Sequence, residues 1–575
     1  MTDPQLVLTE RVQQALGAAF GAESTDADPL IRPSQFADYQ ANVAMSLSKR
    51  LRRAPREVAQ EIADRLTDFP GTVEVSGPGF LNITLSDDWI TAQANESLAD
   101  PRTGVALTGS PQTVVIDYSA PNAAKEMHVG HLRTTIVGDA LARVHEHIGN
   151  RVVRQNHLGD WGTPFGMLIE HLLDIGEKAA VAQLEAGEGN AYYQAARSKF
   201  DSDPEFNQRA RSRVVTLQAE EPETMRLWHI FMNATVRYFN KVYTQLGVTL
   251  TDDDIAGESM YNPVLAQVCD ELQERGIAVV SDGALCVFPP GFTGREGQPL
   301  PFMIRKSDGG YGYATTDMAT IRYRVQDLKA DRLLYVIGAT QAQHMSMLFA
   351  SAKIAGWLPD HVHAEHVQIG SVLGSDGKMF KTRSGESVKL LELLNEAEVR
   401  AAEVIRDSDY GDEERREIAH AVGIGAVKYA DLSVSHDSEY VFDFDRMLAL
   451  TGNTGPYLQY AQARIRSIFR KGEVDPAQAT GPIVIGHPAE RALALRLLGF
   501  GAAVAEMAES SAPHKLAAYL FDTASAFTTF FENCPVLKSD VDPAVRASRL
   551  ALCALTLRVL DTGLGLLGVP VPDRM

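Results

Sequence analysis

His128 and His131, separated only by Val129 and Gly130, bring two imidazoles into one short stretch of chain. Such a pair can donate hydrogen bonds to charge developing on a phosphorus centre, and Gly130 lets a ligand approach the backbone closely. A second group suits the same chemistry. Gly374-Ser-Asp-Gly377-Lys378-Met379-Phe380-Lys381-Thr382-Arg383-Ser384-Gly385 is bracketed by glycines and carries three cations within six positions. Its lysines are able to neutralise a polyphosphate as it leaves. By spacing alone the histidines also suit loop or capping positions beside an ordinary βα turn, and the basic loop a surface turn.

The elements that must position these groups are readable from periodicity. Thr113 to Tyr118 is a β-branched run of the kind expected for a buried strand. From Leu132 the apolar positions Leu132, Ile136, Val137, Ala140, Leu141, Val144 and Ile148 recur at helical spacing. His128, Gly130 and His131 therefore fall at the N-terminal mouth of a helix, where free backbone N–H groups and the helix dipole favour an anion. Further strands are expected at Arg151 to His157, Arg332 to Ile337 and His363 to Ile369, alternating with helices, which predicts a parallel α/β sheet. Nucleotides bind at the carboxyl ends of such strands.

A formal net charge of −20 excludes a protein that coats nucleic acid by bulk charge, so an RNA partner must be met by local basic patches. Cys269, Cys286, Cys534 and Cys553 form no CxxC pair and no zinc-spaced cluster, so free thiols and no structural zinc are expected. Apolar runs such as Leu493 to Ala505 are too short to span a bilayer, and the N-terminus MTDPQLVLTE lacks a signal pattern, which predicts a cytoplasmic chain with no membrane partner.

The string SAPNAAKEMHVGH, residues 119–131, resembles the HIGH-type signature of class I aminoacyl-tRNA synthetases in the extended form typical of arginyl-tRNA synthetases. The 374–385 loop resembles their KMSKS loop, with Phe380 and Thr382 in place of the usual serines. This resemblance implies ATP as substrate with Mg²⁺ accompanying the nucleotide. It further implies His128, His131, Lys378 and Lys381 as catalytic residues, and Lys125 and Gly130 beside them in ATP binding. Matching the arginine pocket residue by residue gives Asp117 and Asn122 in IDYSAPN, Tyr313 and Asp317 in YATTD, and Gln341 in GATQAQH. Asp117, Asn122 and Gln341 are assigned mainly to the α-amino and carboxyl groups, Tyr313 and Asp317 to the guanidinium. A guanidinium calls for carboxylates in fork geometry. LGDWG, residues 158–162, would line the ATP site or form a simple turn.

The same resemblance orders the whole chain. Residues 1–105 are expected to form a small α+β domain, with helices over Leu6 to Phe20 and Ala41 to Leu66 and strands at Gly71 to Val75 and Phe80 to Leu85. Its family counterpart contacts the outer corner of tRNA, and Lys49, Arg50, Arg52, Arg53 and Arg56 would suit phosphates or a solvated helix face. Residues 106–390 are expected to be a Rossmann-like catalytic domain with an insertion at about 166–299, and residues 391–424 a connection. Residues 425–575 are expected to be an all-α helical domain that binds the anticodon. In its helix opened by Pro456, the aromatic and basic residues Tyr457, Tyr460, Arg464, Arg466 and Arg470 suit stacking with splayed bases. The implied activity is ATP-dependent attachment of arginine to its tRNA through an adenylate, in a monomer. The alternative is a non-catalytic synthetase-like tRNA-binding protein.

Overall fold

The computed structural model describes residues 3–66, 69–123, 125–294, 296–374, 376–378, 380, 388–405 and 410–575. At its centre Thr113–Asp117 pairs in parallel with Arg151–Gln155 on one side and Arg332–Gly338 on the other, and His363–Ile369 adds outside Arg332–Gly338. The run of Val114, Val115 and Ile116 is fully buried because a parallel strand is covered on both faces. The chain turns first to one neighbour of this strand and only later to the other. Strand order therefore reverses beside it, which opens a crevice at the strands' carboxyl ends.

Gly130–His147 is the first crossover helix. Its stripe of Leu132, Ile136, Val137, Ala140, Leu141 and Val144 is buried, each large member contributing roughly 1.5–3 kcal/mol. Gly138 lets the helix come down on the strand end, since a side chain there would collide with Tyr118.

Between Gln155 and Arg332 the chain makes a long excursion. Its first part is helical, through Thr163–Ile175, Gly189–Ser202, Pro204–Gln218 and Pro222–Leu246. The second is an antiparallel sheet of Ala278–Ser281, Ala284–Val287 and Phe302–Arg305, after which the Tyr313–Gln326 helix returns to the central sheet.

The N-terminal unit departs from the sequence expectation in two places. The single helix expected over 41–66 is broken into Val43–Leu51 and Pro55–Ala63, because Arg52 adopts a left-handed conformation (φ 55°) and Pro55 opens the second piece. The four-stranded antiparallel sheet also includes Ile31–Pro33 and Tyr39–Ala41, three residues each and too short to show a period. Arg491 of the helical C-terminal unit fixes this domain, with a fork onto Asp38 at 2.8 and 2.8 Å and a bond to Asp87 at 2.7 Å. That unit is built from Asp412–Leu432, Gly455–Gly472 and four further helices between Pro488 and Leu566.

Candidate active site

Where the central strand ends, the backbone enters a strained turn. Ser119 and Ala120 both have positive φ, 68° and 45°, at a cost of order 1–3 kcal/mol each. Asn156 from the neighbouring strand end holds the turn by accepting the Ala120 N–H at 3.1 Å, and Tyr243 bonds the Ser119 hydroxyl at 2.8 Å. The turn throws Pro121 and Asn122 over the sheet edge, where exposed Asn122 lies against Gly159 of the LGDWG loop.

His128 and His131 pack with their rings tilted, 4.0 Å between centroids. Each ring takes a backbone proton on Nδ1: His131 accepts the His128 N–H at 3.1 Å, and His128 accepts the Gly130 N–H at 3.0 Å. Val129 N–H is bonded to the Val388 carbonyl and His131 N–H to the His128 carbonyl. The expectation of free backbone donors at this helix mouth is thus corrected, because the loop's own groups occupy them. The same bonds assign the ring protons to Nε2, so each neutral imidazole keeps one outward donor. Burial, helped by His128 and Lys125, lowers His131 to about 3, and burial with Lys125 also lowers His128.

The chain just after the basic loop meets this histidine loop. Residues 388–390 return alongside 127–129, with Leu390 N–H on the Met127 carbonyl at 2.9 Å and Lys389 paired to Glu126 at 2.9 Å. Lys378 is exposed at the tip of a tight turn closed by Gly374 N–H on its own carbonyl at 2.8 Å, with Gly377 at φ 70°. Lys381 lies outside the described residues. Lys125, also exposed, rests 4.7 Å over the Tyr193 ring.

The same domain holds a group of carboxyls. Asp117 is buried, one oxygen bonded to Arg324 at 2.8 Å and the other without a partner. Asp317, one turn into the Tyr313–Gln326 helix, bonds His344 at 2.6 Å. Tyr313 opens that helix and is 77% exposed, while Gln341 is exposed at the turn following Arg332–Gly338. Asp160 of LGDWG is spent on Ser259, bonding its N–H at 2.9 Å and its hydroxyl at 2.6 Å. That fixes Glu258, a residue the sequence did not single out. Burial together with the charges of Asp160 and Asp317 raises Glu258 to about 8. No spacing signal could have found it, since it joins the group only through the fold of the long excursion.

A second site lies on the helical unit, a cleft of about 780 Å³ lined by Tyr460, Arg464, Arg470, Phe531 and Arg574 among others. Arg464 lies 4.8 Å over both the Tyr460 and Phe531 rings. Tyr457 is half-buried, packed against Phe521 and bonded to Thr528, and Arg466 turns inward to Asp561 at 2.9 Å.

A parallel sheet whose reversal point carries paired histidines, in a chain that also holds a lysine loop, defines a class I aminoacyl-tRNA synthetase. Family comparison agrees: residues 94–444 match "tRNA synthetases class I (R), catalytic domain", 458–575 the "DALR anticodon binding domain" and 6–85 the "Arginyl tRNA synthetase N terminal domain". The arginine–tRNA ligase of Thermobifida fusca is 62% identical, with 100% of both chains covered, and that of Frankia casuarinae 50%, with 99% of both. Among solved structures, arginyl-tRNA synthetase of Plasmodium falciparum has TM-score 0.84 at 27% identity, covering 99% of each chain. That of Thermus thermophilus has TM-score 0.78 at 25% identity, covering 100% of each. The chain belongs to the arginyl-tRNA synthetase family.

Proposed function

We propose that the protein attaches arginine to its cognate tRNA in two steps. The arginine carboxylate attacks the α-phosphate of ATP in line, giving arginyl-adenylate and pyrophosphate; a ribose hydroxyl at the tRNA terminus then takes the acyl group and AMP leaves. The observation that supports this reading is a group of carboxyls, Glu258 beside Asp160 and Asp317, in the same catalytic domain as the two imidazole donors His128 and His131. The carboxylates suit a guanidinium and an α-ammonium, and the donors a phosphate. No protein nucleophile is needed.

In this reading the Nε2–H groups of His128 and His131 follow charge onto the phosphate oxygens, with Gly130 giving room. Lys378 and Lys381 neutralise the departing pyrophosphate, and Lys125 stands close enough to the histidines to share that work. Asp317 and Glu258 face the guanidinium beside Tyr313, while Asp117, Asn122 and Gln341 hold the α-amino and carboxyl end. Mg²⁺ would accompany the triphosphate as part of the substrate. Tyr460, Arg464 and Arg470 at the cleft suit splayed anticodon bases.

We place the enzyme in the cytoplasm as a monomer. No helix among the described residues is long and apolar enough to cross a membrane. The non-catalytic alternative has nothing to favour it, since both histidines and Lys378 are in place. Arginine-dependent ATP–pyrophosphate exchange, measured with and without tRNA, is the decisive test. No exchange with arginine and tRNA present, or exchange with a different amino acid, would sink the assignment.

A further inference from the structure

Arg133 lies two residues beyond His131, in the first turn of the Gly130–His147 helix, and is completely buried. A guanidinium withdrawn from water must find partners for its five N–H groups. Its Nε donates to Asp431 at 2.8 Å, and Asp431 is itself completely buried on its side-chain atoms. Its Nη1 donates to the carbonyls of Gly370 at 2.9 Å and Ser438 at 2.7 Å, its Nη2 to that of Ser435 at 3.3 Å. The Tyr440 ring lies 5.8 Å away.

These partners come from two stretches that carry the Lys378 loop. Gly370 follows the His363–Ile369 strand and begins the run into that loop. Residues 431–440 leave the Asp412–Leu432 helix and brace the same run. Gly370 N–H bonds the His436 carbonyl at 2.8 Å, Val372–Leu373 pairs in parallel with Tyr440–Val441, and Phe380 stacks on Phe442 at 5.0 Å. Fit is close at Gly370, where a side chain would run into the Ser438 carbonyl.

We propose that Arg133 is a positioning residue for arginine activation: it sets the base of the Lys378 loop against the helix that presents His131, and so fixes the span between the donors at the two ends of the triphosphate. The inference rests on the phosphate roles given above. It reaches beyond them in assigning their registration to one buried side chain. Lysine at this position keeps a charge beside Asp431 but lacks the planar fork that reaches Gly370 and Ser438 as well.

The test is a double-mutant cycle of Arg133→Lys and Lys378→Ala, read in arginine-dependent ATP–pyrophosphate exchange at saturating tRNA. Arg133→Lys is expected to lower the exchange kcat by up to about a hundredfold, as small misplacements of reacting groups do, with the KM for arginine unchanged. Lys378→Ala is expected to cost far less in the Arg133→Lys background than in the parent. An arginine that only stabilised the fold would lower the melting temperature and leave the two losses multiplying. Multiplying losses, or an unchanged kcat, would overturn the proposal. Should Arg133→Lys fail to fold, Gly370→Ala, which displaces Ser438, must show the same coupling to Lys378, and independence there overturns it equally. A parent enzyme without arginine-dependent exchange would instead overturn the functional reading, so the two failures are distinct.

Discussion

At the scale of single residues, the site works by keeping some groups neutral and others charged. In the proposed reading His131, lowered to about 3, is a neutral donor, so the activation rate should show no inflection from it between pH 6 and 8. Replacing one of the donors removes transition-state stabilisation, and His131→Ala is expected to slow adenylate formation by roughly a hundredfold or more in single-turnover kinetics. Glu258 behaves in the opposite sense. With its proton released near pH 8, the empty pocket is largely protonated there at pH 7, and a guanidinium must displace that proton. Arginine binding is therefore expected to strengthen as pH rises through 8 and to release close to one proton at pH 7, measurable by calorimetry in buffers of different ionisation heat. The sign for stability is reversed: a carboxyl raised from its ordinary value of 4.5 contributes fully below that value and loses its contribution as pH rises through 8. Glu258→Gln should thus bind arginine poorly yet melt higher than the parent at pH 9.

At the scale of elements, local conformation explains where periodicity misled. The 41–66 stretch keeps its helical pattern across Arg52, but Arg52 is left-handed and Pro55 cannot continue the preceding turn. Arg52→Gly relieves that conformation and is expected to stabilise the protein by about 0.5–1 kcal/mol in denaturant unfolding, less than the full left-handed penalty because glycine also loosens the unfolded chain. The four central strands and the histidine helix were legible because β-branched runs and a 3.6-residue stripe are strong signals over five to eighteen residues. Ile31–Pro33 and Tyr39–Ala41 were not, because three residues carry no period. The return of 388–390 alongside 127–129 was equally hidden, since pairing between distant loops leaves no local trace.

At the scale of the whole molecule, a chain of net charge −20 must meet RNA through local features. In the proposed reading the Tyr460–Arg464–Phe531 cluster is one, and Arg464→Ala is expected to raise the KM for tRNA by about tenfold while leaving the KM for arginine unchanged. Equal effects on both would show that the cleft serves the fold rather than the RNA. The order of the donors along the chain also matters. Both nucleotide loops flank the long excursion, whereas Glu258 and Asp317 come from within it and His344 from the helix after the strand that follows. In the proposed reading the groups that face the arginine side chain are thus encoded apart from the nucleotide loops, while Asp117 and Asn122 adjoin the histidine loop. A library confined to residues 256–344 is expected to explore new side-chain specificities while sparing both nucleotide loops, which makes this segment the natural place to begin in adapting the scaffold to unnatural monomers.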